Sequence, residues 1–254
     1  MTVKEIELHP GHWKNTGSGS NGILNEVTEA RKVTKRVYDI LKSWKVPATY
    51  FEDNTSTNQK QNIDALVKEH NKDKDGLIVS IHFNASGGTQ NRAIGTEVLY
   101  YDQKDLAAKI AEAISDATGG GLLNRGAKQR KDLGVLASTY EPAILIEICF
   151  VNSTIDAAIY QRDFEKICQA IAEVLAAAVG KRVTSKGDVE MEFSSPTLKV
   201  KTDALIKDKN AQKDLIAKGI KAGAFNKSWQ DAFDKGELKK HDIIGLATLY
   251  ALAK

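Results

Sequence analysis

Four side chains in this sequence have the types and surroundings for hydrolytic chemistry: His12, Glu26, His82 and Glu147. His82 closes an apolar run, Ser80-Ile81-His82-Phe83-Asn84-Ala85. Ligands of open α/β sheets bind beyond the carboxyl ends of the strands, so a histidine there is placed to be a site residue. The other reading is a core histidine with a satisfied hydrogen bond. His12 follows a short strand through Pro10-Gly11, where glycine permits a tight backbone, and His9 competes with it as a ligand. Glu26 lies near the start of the next helix. A catalytic zinc site takes three nitrogen and oxygen donors and leaves its fourth position to water, and His, Glu and His on three elements supply that set. No compact His-Glu-x-x-His pattern is present, so spacing alone is a weak signal. Glu147 interrupts the apolar run Ala143-Ile144-Leu145-Ile146-Glu147-Ile148-Cys149-Phe150. A carboxylate in such a strand is costly unless paired, metal-bound or neutral. One reading is a buried ion pair. The other is a general base tuned by burial, which takes a proton from water and gives it to a leaving amine. His70, in Lys-Glu-His-Asn-Lys, and His241, after Lys239-Lys240, are expected to be solvated surface residues.

These residues need a frame, and the periodicity supplies one. Strands are expected at Lys4–Leu8, Ala48–Phe51, Leu77–Phe83, Gly95–Tyr101, Gly134–Thr139 and Ala143–Val151, with helices over 23–45, Ser56–Asn71, Asp105–Thr118 and Phe164–Val179. Alternating strands and helices predict an α/β fold: a twisted, mostly parallel mixed sheet flanked by helices on both faces. The continuous runs Leu77-Ile78-Val79 and Ala143-Ile144-Leu145-Ile146 fit central strands buried on both sides. After Gly180 the pattern breaks. The expected organisation is a catalytic domain over 1–180, a polar linker over 181–194, and a small all-helical C-terminal domain over 195–254, opened by Ser195 as cap and Pro196 in the first turn.

With 254 residues, 42% of them hydrophobic, the chain can bury one substantial core and a second small one. A net charge of +3 does not mark a nucleic-acid protein. The charge is uneven: residues 191–254 hold 12 Lys, no Arg and 8 acidic residues. Two cysteines, Cys149 and Cys168, make no disulfide framework, and Cys168 is expected in the core. No segment is long and apolar enough to predict a membrane span.

Taken in order, Pro-Gly-His, a glutamate about a dozen residues on, Ser-x-His-x-Asn-Ala and Leu-Ile-Glu-x-x-Phe resemble the zinc-dependent N-acetylmuramoyl-L-alanine amidases of type 3. The resemblance covers roughly residues 3–180 and takes in Asn124-Arg125-Gly126-Ala127-Lys128, which is similar to that family's Arg-Gly-x-Lys segment. It implies one zinc ion held by His12, Glu26 and His82, with Glu147 as the catalytic glutamate. Asn84 and Arg125 are the candidate substrate-binding residues. The implied reaction is hydrolysis of the amide between muramic acid and L-alanine in bacterial peptidoglycan. Two departures stand out. His9 replaces an acid, which changes the surroundings of His12, and Cys149 stands where the family has glycine. The rival readings are a zinc carboxypeptidase-like peptidase, for which Arg125 is the sole candidate carboxylate-binding residue, and a catalytically silent wall-binding protein.

Met1 to Leu8 shows no basic-then-apolar signal peptide. Together with the resemblance, that leads to an expected synthesis in the bacterial cytoplasm and action on the wall after release, as a phage or prophage endolysin or as a sporulation or autolytic amidase. The C-terminal domain is expected to bind the wall, where its net positive charge would suit anionic polymers, or to self-associate. Met191, the one internal methionine, is a candidate internal start whose product would assemble with the full chain.

Overall fold

The structure, a computed structural model, describes residues 3–14, 17–181, 204–205, 208–236, 242–243 and 245–247. Six strands form one sheet: β1 (Glu5–Pro10), β2 (Ala48–Tyr50), β3 (Gly76–Asn84), β4 (Thr96–Tyr100), β5 (Asn124–Gln129) and β6 (Ala143–Phe150), in the order β2-β1-β3-β6-β4-β5. Every neighbouring pair is parallel except β4–β6, which is antiparallel. The sheet is therefore mixed and mostly parallel, as the patterning predicts.

Helices α1 (Glu26–Ser43), α3 (Lys104–Ala117) and α5 (Thr154–Ala178) contribute to the larger core, with Ile6, Leu8, Val79, Ile81, Ile144 and Ile146 from the strands. Helices α2 (Gln59–His70) and α4 (Gly134–Ser138) contribute Leu66, Val135 and Leu136 to a second cluster with Ile78, Leu99 and Leu145. Successive strand residues enter alternate clusters, which is what a sheet covered on both faces requires. Local chemistry sets the helix starts: Asn25 accepts from Thr28 N at 2.9 Å and Asn58 accepts from Gln61 N at 3.0 Å.

Gly134–Thr139, expected as a strand, is the short helix α4. Both edges of β6, the strand it leads into, are already taken by β3 and β4, so the segment cannot join β6 as a hairpin. It buries Val135 and Leu136 against Leu66 instead. Strand β5, mostly polar with Ala127 packed against the larger core, was not expected and pairs only with β4.

The chain divides into two compact units, 1–183 and 184–254. In the second, α6 (Lys209–Lys221) and α7 (Ser228–Asp234) surround Ile216, Phe225 and Leu246. Residues 182–194, Met191, the Ser195-Pro196 cap and His241 lie outside the described residues. Among the described residues no helix is long and apolar enough to cross a membrane.

Candidate metal centre and active site

Three elements deliver the His/Glu/His group. Strand β1 hands its chain to Gly11, whose N–H donates to Ile81 O at 2.9 Å, and His12 follows. Glu26 opens α1 and is 2% exposed. His82 lies near the end of β3. Their donor atoms lie within 4.8 Å of one another. One oxygen of Glu26, Oε1, faces His12 Nε2 at 3.1 Å, His82 Nδ1 at 3.0 Å and the donating N–H of Phe83 at 3.1 Å. The other, Oε2, accepts from Ser20 N–H at 2.6 Å. The imidazoles stand edge to face with centroids 4.8 Å apart. Gly11 is required here: a methyl group on it would lie 1.8 Å from His82 Nε2.

Burial pushes the Glu26 carboxyl up, but hydrogen bonds and charge from His12 and His82 outweigh it and hold the group well below the usual carboxylate range. A carboxylate that stays ionised beside two imidazoles has the chemistry of a candidate metal-binding donor set. Two nitrogens and one oxygen on separate elements match the three donors that a hydrolytic zinc site takes.

Glu147 stands beside this group. It is the Cα partner of His82 across the β3–β6 pair and of Glu97 across β6–β4. Its Oε2 is buried without a hydrogen-bond partner. Burial, reinforced by the like charges of Glu26 and Glu97, pushes its carboxyl up to about 8. The ion-pair reading of Glu147 therefore finds no cation. Cys149 is fully buried, and burial pushes its thiol far up, so it stays a protonated core side chain; Cys168 is buried as expected.

Glu97 was not singled out in the sequence. It takes Arg125 Nε at 2.6 Å, the Lys128 ammonium and Asn84 Nδ2 at 3.1 Å. Burial raises its carboxyl, yet Lys128 and Arg125 hold it below the ordinary value. Asn84 and Arg125, the two candidate substrate residues, thus converge on one buried acid next to Glu147, and the Arg125 guanidinium also lies 5.1 Å over the Phe150 ring. The signal for Glu97 was available: like Glu147, it is a charge inside an apolar strand, Thr96-Glu97-Val98-Leu99-Tyr100.

The expectation for His70 is corrected. It is 3% exposed, with Nδ1 at 2.5 Å from Glu7 Oε2 and Nε2 at 2.7 Å from His9 Nδ1. His9 is fully buried and engaged with this histidine, and it does not enter the His12–Glu26–His82 group. Helix α2 explains the burial: Asn62, Leu66 and His70 recur every four residues on its inner side.

An α/β sheet with a two-histidine, one-carboxylate cluster and a buried glutamate at its strand ends defines a hydrolase-type centre. The family model described as N-acetylmuramoyl-L-alanine amidase matches residues 6–177, and the chain belongs to that family. It is 30% identical over 201 residues to an uncharacterised protein of Clostridium perfringens strain 13, covering 78% of this chain and 57% of that one. It is 27% identical over 216 residues to the endolysin of Bacillus phage SPP1, covering 81% and 77%. Among solved structures, the catalytic domain of the CD27L endolysin, described as targeting Clostridia difficile, superposes with a TM-score of 0.59 at 26% identity, covering 71% of this chain and 99% of that domain. The chain spans little more than half the length of the first curated relatives it matches.

Proposed function

We propose that the chain hydrolyses the amide joining N-acetylmuramic acid to L-alanine in bacterial peptidoglycan, with one zinc ion held by His12, Glu26 and His82. The observation that carries this reading is the convergence of those three donors beside Glu147, whose Oε2 is buried and unpaired. Family membership and the SPP1 endolysin relative support the substrate and a lytic role at the wall. The intact Glu147 disfavours a silent wall-binding protein.

When bound, zinc polarises the scissile carbonyl and lowers the pKa of the attacking water. Glu147 accepts that water's proton through its free oxygen and returns it to the departing amine of L-alanine as the C–N bond breaks. Glu26, anchored by Ser20 and Phe83, keeps the two imidazoles in place. Asn84 and Arg125 hold Glu97 and present their remaining donors to the sugar or peptide. The C-terminal unit retains the enzyme on the wall, its excess of Lys matching anionic polymers.

Digestion of purified peptidoglycan tests the reading. New L-alanine amino termini on intact stem peptides are expected; new reducing sugars, or cleavage within the stem, overturn it. Glu147→Gln should lower turnover by about 10²–10⁴-fold. Zinc content measured by atomic absorption should stay at one ion per chain, and its loss would make Glu147 a ligand instead.

A further inference from the structure

The opposite ends of the same strands carry a second set of metal-ligating side chains. Glu5 and Glu7 come from β1, Asp73 and Asp75 from the turn before β3, and Glu141 from the residues before β6. Ligand atoms of Glu5, Glu7 and Asp73 lie within 4.8 Å of one another, and so do those of Asp73, Asp75 and Glu141. Asp73 belongs to both groups, so the five carboxyls form one cluster.

Exposed acidic clusters are common, and this one differs in its floor. Glu7 is 6% and Glu141 5% exposed. Glu141 Oε1 accepts from Gly76 N–H at 2.7 Å, but its Oε2 is buried with no N–H or hydroxyl donor to accept from. A methyl group on Gly76 would lie 2.3 Å from Glu7 Oε1 and 2.9 Å from Glu141 Oε2, so the two oxygens share the space above that glycine. The cations at hand do not fill it. Lys4 is 71% exposed and spends its ammonium on Asp75 at 2.8 Å. His70 reaches the other oxygen of Glu7. Burial first, then the charge of Glu7 and carboxyl–carboxyl hydrogen bonds with Glu7 and Asp73, raise the Glu141 carboxyl to about 7 against the Gly76 N–H, and Glu5 is raised by burial and by Glu7, Asp73 and Asp75. Buried like charges left unpaired destabilise a fold unless something positive joins them.

We propose that Glu5, Glu7, Asp73, Asp75 and Glu141 form a binding site for a calcium ion, separate from the catalytic centre and at the other end of the sheet. Calcium takes six to eight oxygens in adaptable geometry and favours carboxylates, whereas magnesium demands near-octahedral geometry and keeps several waters. Five all-oxygen donors from three chain segments suit the former. Asn71 is no part of it, because its side chain is bonded to Ser138 O and Tyr140 N. The ion would pin the starts of β1, β3 and β6 together, which gives it a role in stability and none in the reaction.

The test uses the full-length, zinc-loaded chain, titrated with calcium chloride at pH 8 by calorimetry and followed by thermal unfolding. One calcium per chain and a rise in Tm are expected, with magnesium giving a much weaker response. Asp73→Asn, an exposed change that leaves folding intact, should weaken calcium binding by about tenfold or more. Glu141→Gln, which keeps the acceptor for Gly76, should abolish it. Glu147→Gln should leave calcium binding unchanged while removing hydrolysis, which separates this site from the catalytic one. The proposal falls if calcium leaves Tm unmoved, and also if acidification alone restores the missing stability because a proton shared between Glu7 and Glu141 fills the gap. It falls equally if Asp73→Asn and Glu141→Gln bind calcium as well as the parent chain.

Discussion

Gly11 shows how narrowly the proposed metal centre is cut. Its missing side chain lets the β1 turn pass against the His82 ring. Gly11→Ala would drive a carbon into Nε2, and the imidazole would have to leave its line to Glu26. We expect zinc affinity to fall by about 10–100-fold, the range found when groups supporting metal ligands are altered. Competition with a chromogenic chelator measures it, and an unchanged affinity would mean that the turn yields rather than the ring. At this scale the sequence was informative where a polar residue broke an apolar pattern. His82 and Glu147 both stand out that way, and Glu97 does so equally. His70 was obscured by its charged neighbours, although its four-residue spacing from Leu66 marks the inner side of α2. Its link to His9 could not be read from spacing, because it joins residues 61 positions apart.

Among the elements, the start of α5 fastens the site's strands. Ser153 caps the helix by accepting from Asp156 N–H at 3.0 Å. The Asp156 carboxylate accepts from Ile94 and Gly95 N–H, both at 2.9 Å, and from Phe150 N–H at 3.2 Å. One buried side chain thus ties the approach to β4, which carries Glu97, to the end of β6, which carries Glu147. Asp156→Ala would strand three buried N–H groups, each costing about 1–3 kcal/mol when left unsatisfied. Some will find water, so a net loss of about 3 kcal/mol is expected in urea unfolding, together with lower turnover. A loss under about 1 kcal/mol would show that the loop holds itself. The apolar strands and the amphipathic helices were legible because burial on known faces leaves periodicity. Strand β5 was not, because Asn124–Gln129 is a polar edge strand with one neighbour and needs no apolar pattern. Helix α4 was misread because a five-residue apolar segment has too little length for either period to show.

For the whole molecule, the sheet order carries a kinetic consequence. Strand β6 is the last of the six in sequence yet sits inside the sheet, between β3 and β4. A ribosome therefore releases β1 to β5 before the strand that joins them exists, and until then the inner edges of β3 and β4 lack their partner. Long-range pairing of this kind folds slowly and leaves sheet edges open to association. A chain ended at residue 142 should accordingly aggregate on expression while one ended at 183 stays in solution; equal yields on centrifugation would refute this. Glu147 travels on that strand, so the proposed proton-transfer group reaches the His12–Glu26–His82 group only when the sheet closes. If Glu147 is the proton-transfer group, a nascent chain that ends before β6 lacks it and should be inactive.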